Sequence, residues 1–128
     1  MTMNSADVTA GGDGKASDFV ALRKDVLTAN KNLNTETDGA TVTFDLDNSA
    51  IQEVVLEGNR TLAVSNMTAG QVLIIRLVQD ATGSRTVTWW STIKWADNVA
   101  PTLTTTATKT DLIGILCTGS GTYDGAVI

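Results

Sequence analysis

The residues best suited to chemistry are three tryptophans, Trp89, Trp90 and Trp95, half of the six aromatic residues in the chain. An exposed indole offers a flat apolar face on which a sugar ring can stack, and aromatics also favour subunit contacts. If residues 86–90 form a strand, Trp89 and Trp90 point to opposite faces. One then belongs to the core and the other to an outer face or a subunit contact, for which Trp90 and Trp95 are the candidates.

Carboxylates are the second possibility. Asp45, Asp47, Glu53, Glu57, Asp80, Asp97, Asp111 and Asp124 could supply the paired acids of glycoside hydrolysis only if two of them faced each other across a cleft. Scattered over turns and polar strand faces, they read as solvated acids. Asp45, Asp47 and Asn48 resemble the start of a calcium loop, but Ala50 stands where its glycine belongs and Leu56 where its closing acid belongs. A polar turn is the expectation there. Gly14-Lys15 lacks the flanking residues of a phosphate loop. The chain has no histidine and a single cysteine, Cys117, which removes zinc sites of the Cys/His kind, Ser–His–Asp and Cys–His catalysis, and any intrachain disulfide. Asn59-Arg60-Thr61 and Asn66-Met67-Thr68 match the glycosylation acceptor pattern, which means little without a secretory signal. No catalytic residue, metal or cofactor is expected.

A net charge of −5 argues against a nucleic-acid binder, which needs a basic face, and against electrostatic membrane attachment. The longest apolar run, Val72 to Val78, is far too short to cross a bilayer as a helix.

The elements that must position these groups read as follows. Residues 1–15, with three glycines and two aspartates, form an arm that does not fold alone. Ser17 is a good N-cap, and Phe19, Leu22 and Val26 recur at helical spacing, which predicts one short helix over 18–29. Its apolar stripe is a candidate contact with the β body or with another subunit. Residues 35–40 read as a linker, giving an N-terminal region of 1–39 and a β domain of 40–128. Within that domain Val42, Phe44 and Leu46 alternate with polar residues, as do Val54 and Leu56 and then Leu62 and Val64. Gly58-Asn59 suits a tight hairpin between the last two segments. Val72 to Val78 is apolar at both alternating positions apart from Arg76, which reads as a central strand covered on both sides. Asp80 to Ser84 turns the chain, and 86–90 reads as the returning strand. A short edge piece at 93–95, a loop containing Pro101, and strands at 103–110, 111–117 and 122–128 complete the count. The pattern predicts an all-β, antiparallel β-sandwich, jelly-roll-like in order, behind the arm and helix.

Gly58-Asn59-Arg60-Thr61-Leu62, Gly70-Gln71, Gln79 to Trp89 (QDATGSRTVTW), Ile93-Lys94-Trp95, Ala100-Pro101-Thr102-Leu103 and Lys109-Thr110-Asp111 together resemble a β module of tailed-bacteriophage virion proteins. The similarity covers about residues 40–128, and residues 16–27 are similar to a segment near the start of such proteins. The resemblance implies a homo-oligomeric virion subunit, expected to be a homotrimer, with no catalytic residues. Because the chain is short, the expectation is a capsid decoration or cement protein bound to the major capsid protein. The alternative is a tail-fibre or tail-tip component that binds a host glycan.

Overall fold

The computed structural model describes residues 32–128, which form one compact unit. The predicted helix over 18–29, with Phe19, Leu22 and Val26, lies outside the described residues. Nine strands follow in order: β1 (Leu33–Thr35), β2 (Thr41–Asp45), β3 (Ile51–Leu56), β4 (Arg60–Ser65), β5 (Val72–Gln79), β6 (Val87–Thr88), β7 (Ile93–Trp95), β8 (Thr110–Gly119) and β9 (Thr122–Val127). A single 3-10 turn at Ala96–Asn98 is the only helical element among the described residues.

The strands form two sheets, one ordered β1-β3-β5-β8-β9-β7 and the other β2-β4-β6. Consecutive strands from β1 to β6 therefore alternate between the sheets. Within each sheet they stack in parallel: β1 on β3, β3 on β5, β2 on β4 and β4 on β6. The chain winds through three rungs, as a short solenoid does. Only β5–β8 and β8–β9 are antiparallel, and β8–β9 is the one hairpin, turned at Gly121 with φ +72°.

The described residues are all-β, apart from the one 3-10 turn, as the alternation predicts, but the antiparallel, jelly-roll-like order is corrected by this pairing. Gly58-Asn59 is not a hairpin turn, because β3 and β4 lie in different sheets. The same holds for residues 80–86, which carry the chain from β5 to β6. Gly58 lies instead under the Arg60 side chain. A Cβ there would stand 2.7 Å from a terminal guanidinium nitrogen of Arg60, which folds over it.

One core fills the space between the sheets. Val42 and Phe44 come from β2, Val54 and Leu56 from β3, Leu62 from β4, and Leu73, Ile75 and Leu77 from β5. Each is buried, and burial of such a side chain contributes about 1.5–3 kcal/mol. Each rung presents its apolar positions inward in register, Val42 beside Leu62 and Val54 beside Leu77. Cys117 and Tyr123 close the core from β8 and β9. Thr41, Thr61 and Thr88 line up on the solvent side of the smaller sheet, where β-branched hydroxyl side chains suit an exposed pleat.

Polar side chains fasten the rungs. Gln52 is buried, and its amide nitrogen donates to Asp45 O at 2.7 Å and Ser49 O at 2.8 Å. The Ser49 hydroxyl donates to Asn32 O and accepts from Ile51 N at 3.1 Å. Arg60 grips Asp38 through two nitrogens, at 2.9 and 2.6 Å. That pairing holds the Asp38 carboxyl below its ordinary range. Asp45 closes the expected polar turn, accepting from Asp47 N at 2.9 Å and Asn66 Nδ2 at 2.8 Å.

Candidate ligand-binding site

The loop between β5 and β6 (80–86) and the segment between β7 and β8 (99–109) meet at one end of the molecule. The sequence predicts a strand over 103–110. Instead, residues 99–109 run irregularly: Thr104 and Thr105 bond the Gln79 side chain, the Asp111 carboxylate and the Ser84 backbone, and only Thr108 and Lys109 reach the backbone of β5, at Gln79. Gln79, at the end of β5, is 2% exposed and acts as the clasp. Its amide nitrogen donates to Arg85 O at 2.9 Å and Thr104 O at 2.8 Å, and its Oε1 accepts from Arg85 N at 2.8 Å. Thr104 N and its hydroxyl donate to the Asp111 carboxylate at 2.8 and 3.1 Å. Ser84 N donates to Thr105 O at 2.8 Å, and Thr108 N donates to Gln79 O at 3.1 Å.

Gly83 makes this approach possible. Its φ is +75°, and a Cβ there would meet Thr105 O at 2.6 Å and Ala107 N at 2.8 Å. Asp80 organises its own loop, accepting from Thr82 N, Gly83 N and two Arg85 nitrogens at 2.8–3.1 Å. The hydrogen bond from Arg85 chiefly holds the Asp80 carboxyl down at about 2. The Arg85 guanidinium is thereby committed within the chain.

Between these segments opens a pocket of about 280 Å³. Arg85, Val87 and Trp89 form one wall, and Pro101, Leu103 and Thr105 form the other. A second pocket of about 190 Å³ lies beside Trp95, Val99 and Gly125, and Pro101 lines both. Trp89 and Trp95 meet edge to face, with ring centroids 5.1 Å apart, between the two hollows. Trp95 is seated by Gly125, where a Cβ would stand 2.7 Å from Cη2 of the indole.

The tryptophans do not divide between faces. β6 ends at Thr88, so strand alternation does not govern Trp89 and Trp90. Both are half-buried and pack on the core, with centroids 5.9 Å apart. Trp90 also meets the Tyr123 ring edge to face at 5.7 Å, and its Nε1 is buried without a hydrogen-bond partner. Trp95 is half-buried in the same cluster. Trp89, not Trp90, is thus the indole that lines the larger pocket. The sequence carried a signal for the opposite wall in Ala100-Pro101-Thr102-Leu103, but nothing in it placed that segment against Arg85 and Trp89.

The pocket is lined mainly by apolar and aromatic side chains with Thr86, Thr102 and Thr105 among them, and its one charged residue, Arg85, is paired with Asp80. That composition can hold an uncharged ligand with one apolar face. Among the described residues no cluster of three or more potential metal ligands is present.

A family model described as "Putative phage tail fibre C-terminal domain" matches residues 35–122. That span runs from the last residue of β1 to the first of β9 and takes in β2 to β8 and both walls of the pocket. No curated protein and no solved structure matches the chain.

Proposed function

The chain belongs to the phage tail fibre C-terminal domain family, a bacteriophage virion structural component, and on that premise we propose that it is a receptor-binding module of the tail. It acts by binding rather than catalysis, and its ligand is an uncharged sugar of the host surface. The observation that carries this reading is the Trp89 pocket, built from segments inside the family match. An indole lining the pocket offers stacking area to the apolar face of a pyranose, and Thr86, Thr102 and Thr105 in the lining bring hydroxyls to its polar groups. Arg85 is paired with Asp80 at 2.8 Å, which offsets its charge and favours an uncharged sugar over an acidic one.

A place on the capsid, with the major capsid protein as partner, is the competing reading. It is the weaker one, since the family match is to a tail fibre domain. As a homotrimer the module would present three such pockets, and avidity would compensate for weak individual sites.

The test is binding of the full chain to surface polysaccharide purified from the phage's host, alongside Trp89→Ala. The expected result is measurable binding that falls at least tenfold in the variant, with an unchanged circular dichroism spectrum. Binding unaffected by the substitution would sink the pocket. Antibody labelling confined to capsids of intact virions would sink the tail assignment.

A further inference from the structure

The Trp89 pocket and the hollow beside Trp95 adjoin, since Pro101 lines both. Their volumes are about 280 and 190 Å³. Ligand clefts usually measure about 300–1,000 Å³, so each alone falls short and the two together reach that range. Trp89 and Trp95, edge to face at 5.1 Å, carry one aromatic surface from the first to the second. A ligand seated on Trp89 therefore meets the Trp95 hollow within the width of one residue.

The side chains of the second hollow are the Trp95 indole, the Pro101 ring and the aliphatic groups of Ala96, Val99, Ala126 and Val127. Register and turn chemistry put them there. Trp95 on β7 stands opposite Gly125 on β9, and the missing Cβ lets the indole lie across that strand. After Trp95 the chain turns at Asp97 and Asn98, with φ +56° and +59°, a conformation that aspartate and asparagine adopt more readily than most side chains. Val99 N closes this turn on Ala96 O at 3.1 Å, which brings the Val99 side chain into the wall. Val99 and Val127 are 66% and 62% exposed and stand outside the core, so their apolar surface is open to whatever enters.

The two linings suit different parts of one ligand. Thr86, Thr102 and Thr105 in the Trp89 pocket can bond the hydroxyls of a sugar ring. In the Trp95 hollow a ring hydroxyl would leave water and meet aliphatic side chains, at a cost, whereas a methyl group would gain by burial. The smaller volume suits a substituent better than a further whole ring. We propose that the two hollows form one site for a methyl-bearing glycan, with a pyranose ring on Trp89 and the methyl of an N-acetyl or 6-deoxy group beside Trp95, Val99 and Val127. The methyl is carried by that ring or by the unit linked to it. This inference rests on the receptor reading and narrows its ligand.

The experiment is saturation-transfer NMR of the full chain with fragments of the host's surface polysaccharide released by mild acid. Acetyl and 6-deoxy methyl signals are resolved from each other and from ring protons, so the spectrum itself distinguishes the two sources. The expected result is transfer to ring protons and, strongly, to one class of methyl. Val99→Asp and Val127→Asp should each diminish transfer to the methyl, keep transfer to the ring, and weaken binding at least about fourfold, the equivalent of about 0.8 kcal/mol for one buried carbon. Thr61→Asp, exposed on the smaller sheet, should change neither. Should an aspartate disturb the fold by circular dichroism, Val99→Ser and Val127→Ser provide the same comparison. Transfer to ring protons alone, or to a methyl that both valine variants leave unaffected, would overturn the proposal. So would binding of a polysaccharide that carries neither group. If the binding in those cases is still lost in Trp89→Ala, the receptor reading stands and the Trp95 hollow has another occupant. An absence of transfer to the parent chain's ligand, or transfer that Trp89→Ala leaves intact, would overturn the receptor reading and this inference with it.

Discussion

Replacing Gln79 by leucine isolates what one buried amide contributes to the pocket. The two side chains are similar in volume, so little packing is lost. Three hydrogen bonds disappear: two to Arg85, at 2.9 and 2.8 Å, and one to Thr104 O at 2.8 Å. Each is worth about 1 kcal/mol net, and more where the abandoned backbone group is kept from water. Arg85 and Thr104 are half-buried. A loss of about 3 kcal/mol follows, with an expected fall in Tm of about 10–25 °C for a unit of this size. Thermal melting and urea unfolding measure it, the urea slope staying unchanged if only the native state is affected. Gln79→Glu sharpens the comparison. An ionised glutamate sets acceptors against the two carbonyl oxygens that the amide nitrogen now serves. A protonated one can donate to one of them. Its folded pKa is therefore raised, so Gln79→Glu should be the less stable of the two at neutral pH and gain on Gln79→Leu as pH falls. Stability of Gln79→Leu within about 1 kcal/mol of the parent chain would refute the reasoning, because the amide would then not be what joins the two walls.

Further expectations concern the same loops and the ion pairs. Gly83→Ala should cost clearly more than Gly121→Ala. Both glycines have positive φ, but a Cβ at Gly83 runs into Thr105 O and Ala107 N, whereas at Gly121 nothing lies within 4 Å. The common strain is about 1–2 kcal/mol, and equal losses in urea titrations would show that the close approach is not tight. Acid should destabilise the protein through depressed carboxyls. Asp80 is held at about 2, and Asp38 and Glu53 are lowered by hydrogen bonds from Arg60 and Thr35 respectively. In each case the folded value lies below the unfolded one, so their stabilisation is full above the unfolded range and is lost as pH falls through the folded values. Tm should be level from pH 7 to about 5 and drop between about pH 4 and 2. A flat profile down to pH 2 would mean that these pairs contribute nothing.

Much of the inward-facing pattern is legible in the amino-acid order. Val42 and Phe44, Val54 and Leu56, and Leu62 all face the core as the period-two alternation predicts. The strand predicted over 122–128 forms as β9, Thr122–Val127, and Ile93–Trp95 lies at a sheet edge. The strand predicted over 103–110 does not form. Alternating threonine there carries a strand's period, but the backbone is claimed by Gln79, Asp111 and Ser84. β1 falls where the sequence reads as helix end and linker, since three residues of mixed polarity carry no periodic signal.

The β character of the described residues, the core residues, the lack of histidine- and disulfide-based chemistry, and the turns at Asp45 and Asp80 all follow from the chain's residues taken in order. They do so because composition, side-chain alternation and turn chemistry need no knowledge of which strands pair. Pairing was left to the tertiary structure. A period of two says which side of a strand is buried, but not whether the next strand returns beside it or crosses to a second sheet. Only the stacking of β4 on β6 and the clasp at Gln79 bring Trp89 against Pro101 and Leu103. The same winding decides that β5, apolar on both faces in sequence, is covered by the other described strands on one of them.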